Sequence, residues 1–283
     1  MYKLKLAIIL IIAILFLISY GLSWRLQRYL DLYYLDIGQG DATLIINTKR
    51  QKILIDCGPD QKTVEQLDLL LPFWDRKIDY LFISHDHDDH WGGLAAILNK
   101  YQINKIFLAY PPKISSGLSA SLDLAKNKGS LITNLTAPAT IILPDQSRLK
   151  ILWPTPEQLQ QWSDEPNNQS LVIYWLYGQK SFLWTGDLES SAEEILLKKL
   201  PPRVDIIKIA HHGSWTATSP KWLESWQPTA AIISVGLNNK FNLPTPITLE
   251  RLKRLNIKHW RTDQLGRIHL STDGQTIWRG LAK

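Results

Sequence analysis

Residues 84–93 constrain the fold of this chain more than any other segment, because they read Ser-His-Asp-His-Asp-Asp-His-Trp-Gly-Gly. Three histidines and three aspartates occupy the six positions 85–90, soon after the apolar run 78–83, which predicts a buried strand. A solvated loop has no physical reason to gather imidazoles and carboxylates so closely, whereas these groups are the usual ligands of zinc and similar divalent ions. We therefore expect a metal site where this strand ends.

Polar clusters follow four other predicted strands in the same way. Together with the first motif they occupy residues 36–41, 56–58, 84–90, 186–187 and 211–214. If the strand ends meet at one edge of the sheets, all five clusters converge on one site, because rigid strands commonly carry functional loops. Short β runs mix with helical segments along the whole chain, so we expect an α/β or α+β fold with a large strand content.

The spacing His-x-His-x-Asp-His predicts how the first motif divides between ions. His85 and His87 can face one ion while Asp89 and His90 face a second. Two neighbouring ions need a shared anionic ligand, and Asp187, in Thr-Gly-Asp after another predicted strand, is the candidate. Without the first motif, Asp187 would instead be interpreted as the N-cap of the next helix. We expect two divalent ions, Zn²⁺ or Mn²⁺, and the ligand types leave iron open as well.

The pair His211-His212 follows a further predicted strand and supplies the cap for the second ion. We assign His211 to the metal and His212 to catalysis or substrate contact, but the sequence permits the reverse assignment. The remaining histidines, His259 and His269, lie on ordinary short strands and are expected to be structural. Cys57, the one cysteine, is expected to be a small buried residue, so no disulfide forms within the chain.

The N-terminal segment predicts a membrane anchor. Residues 6–22 are uncharged and mostly apolar, and at ~1.5 Å rise per residue they approach the length that spans a bilayer. A secretory signal is the alternative, but the run is long for one and no small-x-small cleavage site precedes Trp24. We therefore divide the chain into a single-pass anchor with a short linker, 1–29, and one large domain, 30–283.

Charges beside the anchor bear on its orientation. Lys3 and Lys5 precede the apolar run and favour a cytoplasmic N-terminus, whereas Arg25 and Arg28 follow it and pull the other way. We expect the large domain to lie outside the cytoplasm. The formal net charge of +6 permits a polyanionic partner without requiring one.

The motifs taken together resemble a known family. His-x-His-x-Asp-His-x-Gly-Gly, Thr-Gly-Asp and His-His-Gly-Ser are similar to the motifs of the metallo-β-lactamase superfamily. Within it, the chain from Tyr33 onward resembles the C-terminal hydrolase domain of the ComEC competence family. The segments that narrow the resemblance are 35–42, 55–58, 168–171, 183–187 and 233–236.

The resemblance implies a fold, a reaction and partners. The fold would be an αββα sandwich, two packed sheets flanked by helices, preceded by one transmembrane helix. The reaction would be metal-dependent phosphodiester hydrolysis, a nuclease action on DNA linked to DNA uptake and competence, with a separate channel protein as a further partner. Two other interpretations stay open: a metallohydrolase of a nucleotide, cyclic dinucleotide or lactam, and a non-catalytic module that binds DNA or a partner protein.

Several residues receive roles in this reaction. Asp89 is expected to serve both as a ligand and in catalysis, and Asn168 and Ser214 are expected to touch the phosphate. Asp36, Asp41 and Asp56 are expected to orient the histidines by accepting a hydrogen bond from the ring nitrogen that does not bind metal.

The chain also departs from the family pattern. No histidine lies between His90 and His211, which leaves the first ion one ligand short. Water, Asn168 or the substrate phosphate would fill that position. His87 stands where the ComEC branch often has aspartate, and Leu243-Pro244 stands where it usually has His-Pro.

Two tryptophans, Trp91 and Trp215, neighbour the histidine clusters. Stacking on nucleic-acid bases is one interpretation of them, and packing in the core or at the rim of the site is the other.

Overall fold

The computed structural model describes residues 5, 8–15, 28–111, 113–199 and 203–280. Residues 8–15 are helical (α1), and the rest of the expected anchor, residues 6–7 and 16–22, lies outside the described residues. Within the described ranges no helix is both long and apolar enough to cross a membrane. The transmembrane helix predicted for residues 6–22 is thus not among the described helices.

The described part of the chain forms two β-sheets. In chain order the strands are β1 (Leu30–Tyr34), β2 (Thr43–Ile46), β3 (Lys52–Ile55), β4 (Lys77–Ile83), β5 (Gln102–Leu108), β6 (Leu131–Asn134), β7 (Ala139–Ile142), β8 (Arg148–Trp153), β9 (Val172–Tyr177), β10 (Lys180–Trp184), β11 (Ile206–Lys208), β12 (Ala230–Ile233), β13 (Lys258–Arg261), β14 (Ile268–Thr272) and β15 (Ile277–Arg279). The first sheet has the order β15-β14-β1-β2-β3-β4-β5-β6, and the second has the order β13-β12-β11-β10-β9-β8-β7.

Helices cover the outer faces of both sheets. After α1 they are α2 (Lys62–Leu70), α3 (Asp88–Trp91), α4 (Leu94–Lys100), α5 (Ser116–Asn127), α6 (Pro156–Gln161), α7 (Ser190–Leu196), α8 (Pro220–Trp226), α9 (Pro246–Arg254) and α10 (Thr262–Leu265). Single-turn 3₁₀ helices occupy Pro166–Gln169 and Leu197–Lys199, and Ala210–Gly213 form a tight turn with left-handed residues.

Three clusters of buried apolar side chains define the layers of the molecule. The central cluster joins the two sheets and includes Phe82, Trp175 and Phe182. The second packs α2, α4 and α5 on the first sheet, and the third packs α7, α8 and α9 on the second sheet. The second half of β4 is buried on both faces, with Phe82 in the central cluster and Leu81 in the outer one, which explains the apolar run over residues 80–83. These layers confirm the predicted αββα sandwich.

The strand directions bring the polar loops to one edge. In the first sheet β3 and β4 are parallel, and β1 runs with them because β2 is antiparallel to both β1 and β3. In the second sheet β10, β11 and β12 are parallel. The carboxyl ends of these strands therefore lie at the same edge of their own sheet, and the loops that leave them carry the predicted ligands.

The first strand ends earlier than the sequence pattern predicts. The pattern favours a strand over 33–37, but β1 stops at Tyr34. The backbone N–H of Leu35 donates to the carbonyl of Ala42 at 3.0 Å and closes a loop that contains two glycines with positive φ. Segment 36–41 is consequently free to approach the other polar clusters.

The helix expected over residues 92–101 is α4, which begins at Leu94, and a separate short helix, α3, lies within the first motif and joins α4 at Gly92-Gly93. A Cβ atom at Gly93 would collide with the carbonyl oxygen of Cys57. Glycine at this position lets α4 begin in direct contact with the loop that follows β3, which holds the first motif close to that loop.

Candidate metal centre

The first motif forms the turn between β4 and α3, and hydrogen bonds to its backbone fix it from both sheets. The N–H of Ser84 donates to the Asp56 carboxylate at 2.7 Å, and the N–H of Leu171 donates to the Ser84 carbonyl at 2.8 Å. Cys57 donates its N–H to the His90 carbonyl at 2.8 Å. Because Leu171 precedes β9, the second sheet helps to position ligands that leave the first.

Four imidazoles surround one oxygen atom of Asp187, in the loop after β10. The Oδ2 atom of Asp187 lies 3.3 Å from Nε2 of His90 and 3.7 Å from Nε2 of His212. The Nε2 atoms of His85 and His211 each lie 3.9 Å from the same oxygen. The other oxygen of Asp187 and Nε2 of His90 are buried and accept or donate no hydrogen bond among the described residues. Buried polar atoms left without partners in this way suit a site that receives a cation.

Two of these imidazoles are oriented by a hydrogen-bond partner at Nδ1, the nitrogen that faces away from Asp187. Nδ1 of His90 lies 2.9 Å from Oδ2 of Asp56, and Nδ1 of His212 donates to the carbonyl oxygen of Ser234 at 3.0 Å. Each contact leaves Nε2 directed at Asp187 and fixes the ring orientation. Metal-binding histidines in proteins are usually held by the same kind of contact.

Among the described residues, four groups of three side chains have ligand atoms within 4.8 Å of one another. They are His85, His90 and Asp187; Asp89, His90 and His212; Asp41, Asp56 and His90; and Asp41, Asp187 and His212. The first two groups share His90, whose Nε2 atom can serve only one ion because Nδ1 is held by Asp56. The last two both depend on Asp41, which has a different partner.

That partner is Lys208, the last residue of β11, which the sequence prediction did not include. Its side chain is 2% exposed, and Nζ forms an ion pair with Asp41. Burial would lower the pKa of Lys208, but Asp41 and then Asp187 outweigh it and raise that pKa, so the ammonium stays charged. The only signal in the sequence is a lysine at the end of an apolar strand, three residues before His211.

Neighbouring charges set the protonation of the carboxylates. Burial would raise the pKa of Asp187, but His90 and His212 hold it well below its usual range. Burial acts the same way on Asp89, where the hydrogen bond from His212 at 3.1 Å outweighs it and lowers the pKa. Burial would lower the pKa of His90, yet Asp187 and Asp56 raise it well above its usual range. A proton on His90 thus offsets the negative charge of the neighbouring carboxylates, and a bound cation would displace that proton.

Glu189, two residues after Asp187, is a second group that the sequence prediction missed. Its Oε1 atom lies 3.5 Å from Nδ1 of His211 and accepts hydrogen bonds from Asn167 and Thr216, both at 3.2 Å. The contact with His211 lowers the pKa of Glu189, and burial opposes this effect. A glutamate just before a helix looks like an ordinary solvated residue in sequence, so its role depends on the tertiary contacts.

Three other predicted residues, His87, Ser214 and Asp36, differ in their burial and in their partners. His87 is partly exposed, with Nδ1 lying 3.1 Å from Nε2 of His85. Ser214 is buried, and its hydroxyl lies 3.0 Å from that of Thr216. Asp36 is exposed and lies beside Gly266.

Asn168 is fully buried, and both ends of its amide have partners within the chain. Nδ2 donates to Glu165 at 2.9 Å, while Oδ1 accepts the backbone N–H of Glu189 at 3.2 Å. As placed, Asn168 positions Glu189. Contact of Asn168 or Ser214 with a phosphate stays a prediction.

Comparison with known proteins places this geometry in a family. Residues 35–236 match the Metallo-beta-lactamase superfamily. The chain is 30% identical to ComE operon protein 3 of Bacillus subtilis, over 83% of this chain and 32% of that protein. It is 31% identical to Recombination protein 2 of Haemophilus influenzae, over 84% and 28%, and 27% identical to Competence protein ComA of Neisseria gonorrhoeae, over 82% and 31%. The chain spans about a third of the length of these relatives.

Solved structures agree on the fold. CmlA, a diiron β-hydroxylase from Streptomyces venezuelae, superimposes with a TM-score of 0.59 at 13% identity, over 89% of this chain and 54% of that chain. At this identity the likeness concerns the fold alone.

Proposed function

Because the chain belongs to the metallo-beta-lactamase superfamily, we propose that it is a two-metal phosphodiesterase that hydrolyses DNA. The observation that carries the proposal is the single carboxylate oxygen of Asp187 with four imidazole Nε2 atoms between 3.3 and 3.9 Å from it. A shared carboxylate between two sets of nitrogen ligands is what a pair of neighbouring divalent ions requires.

The residues present fit such ions. The donor set is imidazole nitrogen and carboxylate oxygen, which suits zinc, manganese and iron, and it includes buried atoms without other partners. The first ion would be held by His85 and Asp187, whose Nε2 and Oδ2 atoms lie 3.9 Å apart, with His87 as the further ligand that the motif spacing predicts. The second would be held by Asp89, His90 and His212, with Asp187 shared. When bound, two such ions supply Lewis acidity to a phosphoryl group and make water a nucleophile at neutral pH.

The buried side chains around Asp187 orient the ligands and exclude water from the inner part of the centre. The side chain of Asp187 is 2% exposed, while those of Asp89 and His211 are 32% and 28% exposed. A substrate phosphate would therefore approach over Asp89 and His211, above the buried ligands. The ion pair of Lys208 with Asp41 supports His212, whose Nδ1 atom lies 3.7 Å from Oδ1 of Asp41. We propose that the hydroxyl of Ser214 contacts the phosphate.

DNA is the substrate we favour, for three reasons. The names of the relatives include a recombination protein and a competence protein, and the net charge of +6 suits a polyanion. The two tryptophans near the histidines differ in exposure: Trp91 is 8% exposed and packs in the core, while Trp215 is 60% exposed, three residues after His212. An exposed aromatic ring beside the centre can stack on a base of a single strand.

We further propose that the hydrolase works at a membrane, with its large domain outside the cytoplasm and a separate DNA-uptake channel as its partner. The apolar residues 6–22 and the competence relative support this placement. The described residues themselves contain no helix that would span a bilayer.

A cleavage assay tests the proposed reaction. Full-length protein is purified in detergent, stripped of metal and supplied with Mn²⁺ or Zn²⁺, then incubated with single-stranded and double-stranded DNA. We expect cleavage by the wild type and a loss of at least about 100-fold in Asp89→Ala and Asp187→Ala, because each removes a ligand. His259→Ala, a histidine substitution on β13, is the matched control and should keep full activity.

A substrate panel separates the proposal from its rivals. Bis(p-nitrophenyl) phosphate, a cyclic dinucleotide and a β-lactam are tested under the same conditions as DNA. Hydrolysis of the dinucleotide or the lactam without any cleavage of DNA would replace the proposed substrate. Equal activity in the wild type and both aspartate variants would refute the assignment of the centre.

A further inference from the structure

We propose that the adjacent histidines His211 and His212 serve different ions, and that Glu189 holds His211 in place. His212 belongs to the second ion. His211 belongs to the first, where it supplies the ligand left missing by the absence of a histidine between His90 and His211. This inference rests on the proposed two-metal function and deepens it, because it assigns the ligand set of the first ion.

The backbone of the pair supports the use of both rings. His211 has φ 48° and ψ 45°, and His212 has φ 52° and ψ 21°, so two consecutive non-glycine residues are left-handed. Each such residue costs roughly 1–2 kcal/mol and persists only where its surroundings require it. The two rings lie 6.3 Å apart with their planes at 69°, and both present Nε2 to the same oxygen of Asp187. The turn therefore directs two imidazoles at one shared carboxylate.

His211 shows the same contacts as the histidines already assigned to the centre. Its Nε2 atom faces Asp187 at 3.9 Å, and its Nδ1 atom faces Glu189 at 3.5 Å. In His90 the corresponding atoms face Asp187 and Asp56. A carboxylate behind a histidine whose other nitrogen points at an anionic ligand is the usual support for a metal-binding imidazole.

Glu189 is itself held firmly enough to orient a ring. Its Oε1 atom accepts hydrogen bonds from Asn167 and Thr216, and its backbone N–H donates to Asn168. Asn167 and Asn168 therefore hold the carboxylate that positions His211.

The number of ligands assigns His211 to the first ion. His90 lies in two ligand groups, one with His85 and Asp187 and one with Asp89 and His212. Its Nε2 atom can bind only one ion, because its Nδ1 atom is held by Asp56. With His90 on the second ion, the first ion keeps His85 and Asp187, with His87 as the proposed third ligand, whereas a zinc site usually has four. All seven histidines are among the described residues, and the other two lie away from the centre on β13 and β14. His211 is the histidine that remains.

The test measures bound metal rather than activity alone. Full-length wild type, His211→Asn, Glu189→Gln and the control His259→Ala are dialysed against Zn²⁺. The bound ions are counted by mass spectrometry, and their affinities are measured by competition with a chromophoric chelator. Asparagine tolerates left-handed backbone, so His211→Asn should fold, which thermal unfolding of the metal-free protein verifies.

We expect two ions in the wild type and in His259→Ala, and one retained ion in His211→Asn. Glu189→Gln should keep both ions but weaken one about 10- to 100-fold, the usual effect of removing the partner behind a ligand. Combining His211→Asn with His87→Ala should cost no further ion, because both act on the first site, whereas combining it with Asp89→Ala should lose the second.

Two ions bound with unchanged affinity in His211→Asn would overturn the inference, whatever happens to activity, and would make His211 a substrate contact. Fewer than two ions in the wild type would instead refute the proposed two-metal function itself. The two failures are therefore distinguishable in one experiment.

Discussion

Glu193, in α7, is expected to make the protein less stable as the pH rises from about 5 to 8. The residue is 1% exposed, and its two carboxylate oxygens accept the backbone N–H groups of Thr218 at 2.6 Å and Ser219 at 2.9 Å. Burial raises the pKa of Glu193 from 4.5 to about 7, although these N–H groups and Arg251 oppose the shift. The contact secures the segment that follows the histidine pair.

The size of the effect follows from the two pKa values of Glu193. Between pH 4.5 and about 7 the folded protein holds a proton that the unfolded chain has lost, so the free energy of unfolding falls as the pH rises. The stabilisation is fully present below pH 4.5 and is lost as the pH passes 7. A shift of this size corresponds to about 3 kcal/mol, most of it lost between pH 5 and pH 8. Glu193→Gln stays neutral and should show no such loss.

Urea unfolding of the metal-free protein at pH 5, 6, 7 and 8 measures the effect. The difference in unfolding free energy between wild type and Glu193→Gln removes the contributions of all other titrating groups. In Glu193→Gln the side-chain NH₂ group replaces one carboxylate oxygen, so one of the two backbone N–H groups loses its acceptor. This loss should lower the free energy of unfolding of the variant by about 1 kcal/mol at every pH. Glu194→Gln, at an exposed neighbouring position, is the matched control and should follow the wild type. A difference that stays constant within about 0.5 kcal/mol from pH 5 to pH 8 would refute the reasoning.

Three further predictions concern the centre and its support. Lys208→Met leaves the buried Asp41 without its ion-pair partner and should lower the free energy of unfolding by about 3–5 kcal/mol. Adding Asp41→Asn should recover part of that loss, which a double-mutant cycle in urea measures, and no recovery would contradict the pairing. Gly213→Ala should cost roughly 1–3 kcal/mol, because φ is 87° and the new Cβ meets Pro244 at 2.5 Å. Gly129→Ala, with φ 88° and open space, should cost less in the same assay. Zn²⁺ at 100 times its dissociation constant should stabilise the chelator-treated protein by about 2.7 kcal/mol for each ion bound in thermal unfolding, and Asp187→Asn should abolish the gain.

The candidate metal ligands stand out in the sequence because they are concentrated and chemically distinctive. Three histidines and three aspartates in six positions have no ordinary structural explanation. Lys208 and Glu189 were not predictable, because a lysine at a strand end and a glutamate before a helix usually face solvent. Only the contacts across the two sheets show that one balances Asp41 and the other supports His211.

The layers of the fold were predictable, whereas the order of the closing strands was not. Apolar periodicity predicts short strands near the C-terminus, and the structure has β13, β14 and β15 there. It does not predict that β13 extends the second sheet while β14 pairs with β1 in the first. The chain changes sheets through α10 and Gly266, whose φ is 67°. Such long-range pairing depends on the burial of whole layers, which periodicity within one segment does not encode.

The centre joins two sheets whose relative position does not depend on the ions. His85, Asp89 and His90 leave the first sheet, whereas Asp187 and the histidine pair leave the second. The central apolar cluster already fixes the sheets against each other, and Trp184 donates its ring N–H to Thr43 at 3.3 Å from one sheet to the other. A ligand set held in place before metal arrives loses little conformational freedom on binding, which favours high affinity. Because the ions would bind groups from both sheets, their binding should stabilise the folded arrangement of the sheets by an amount set by the ratio of free metal to its dissociation constant.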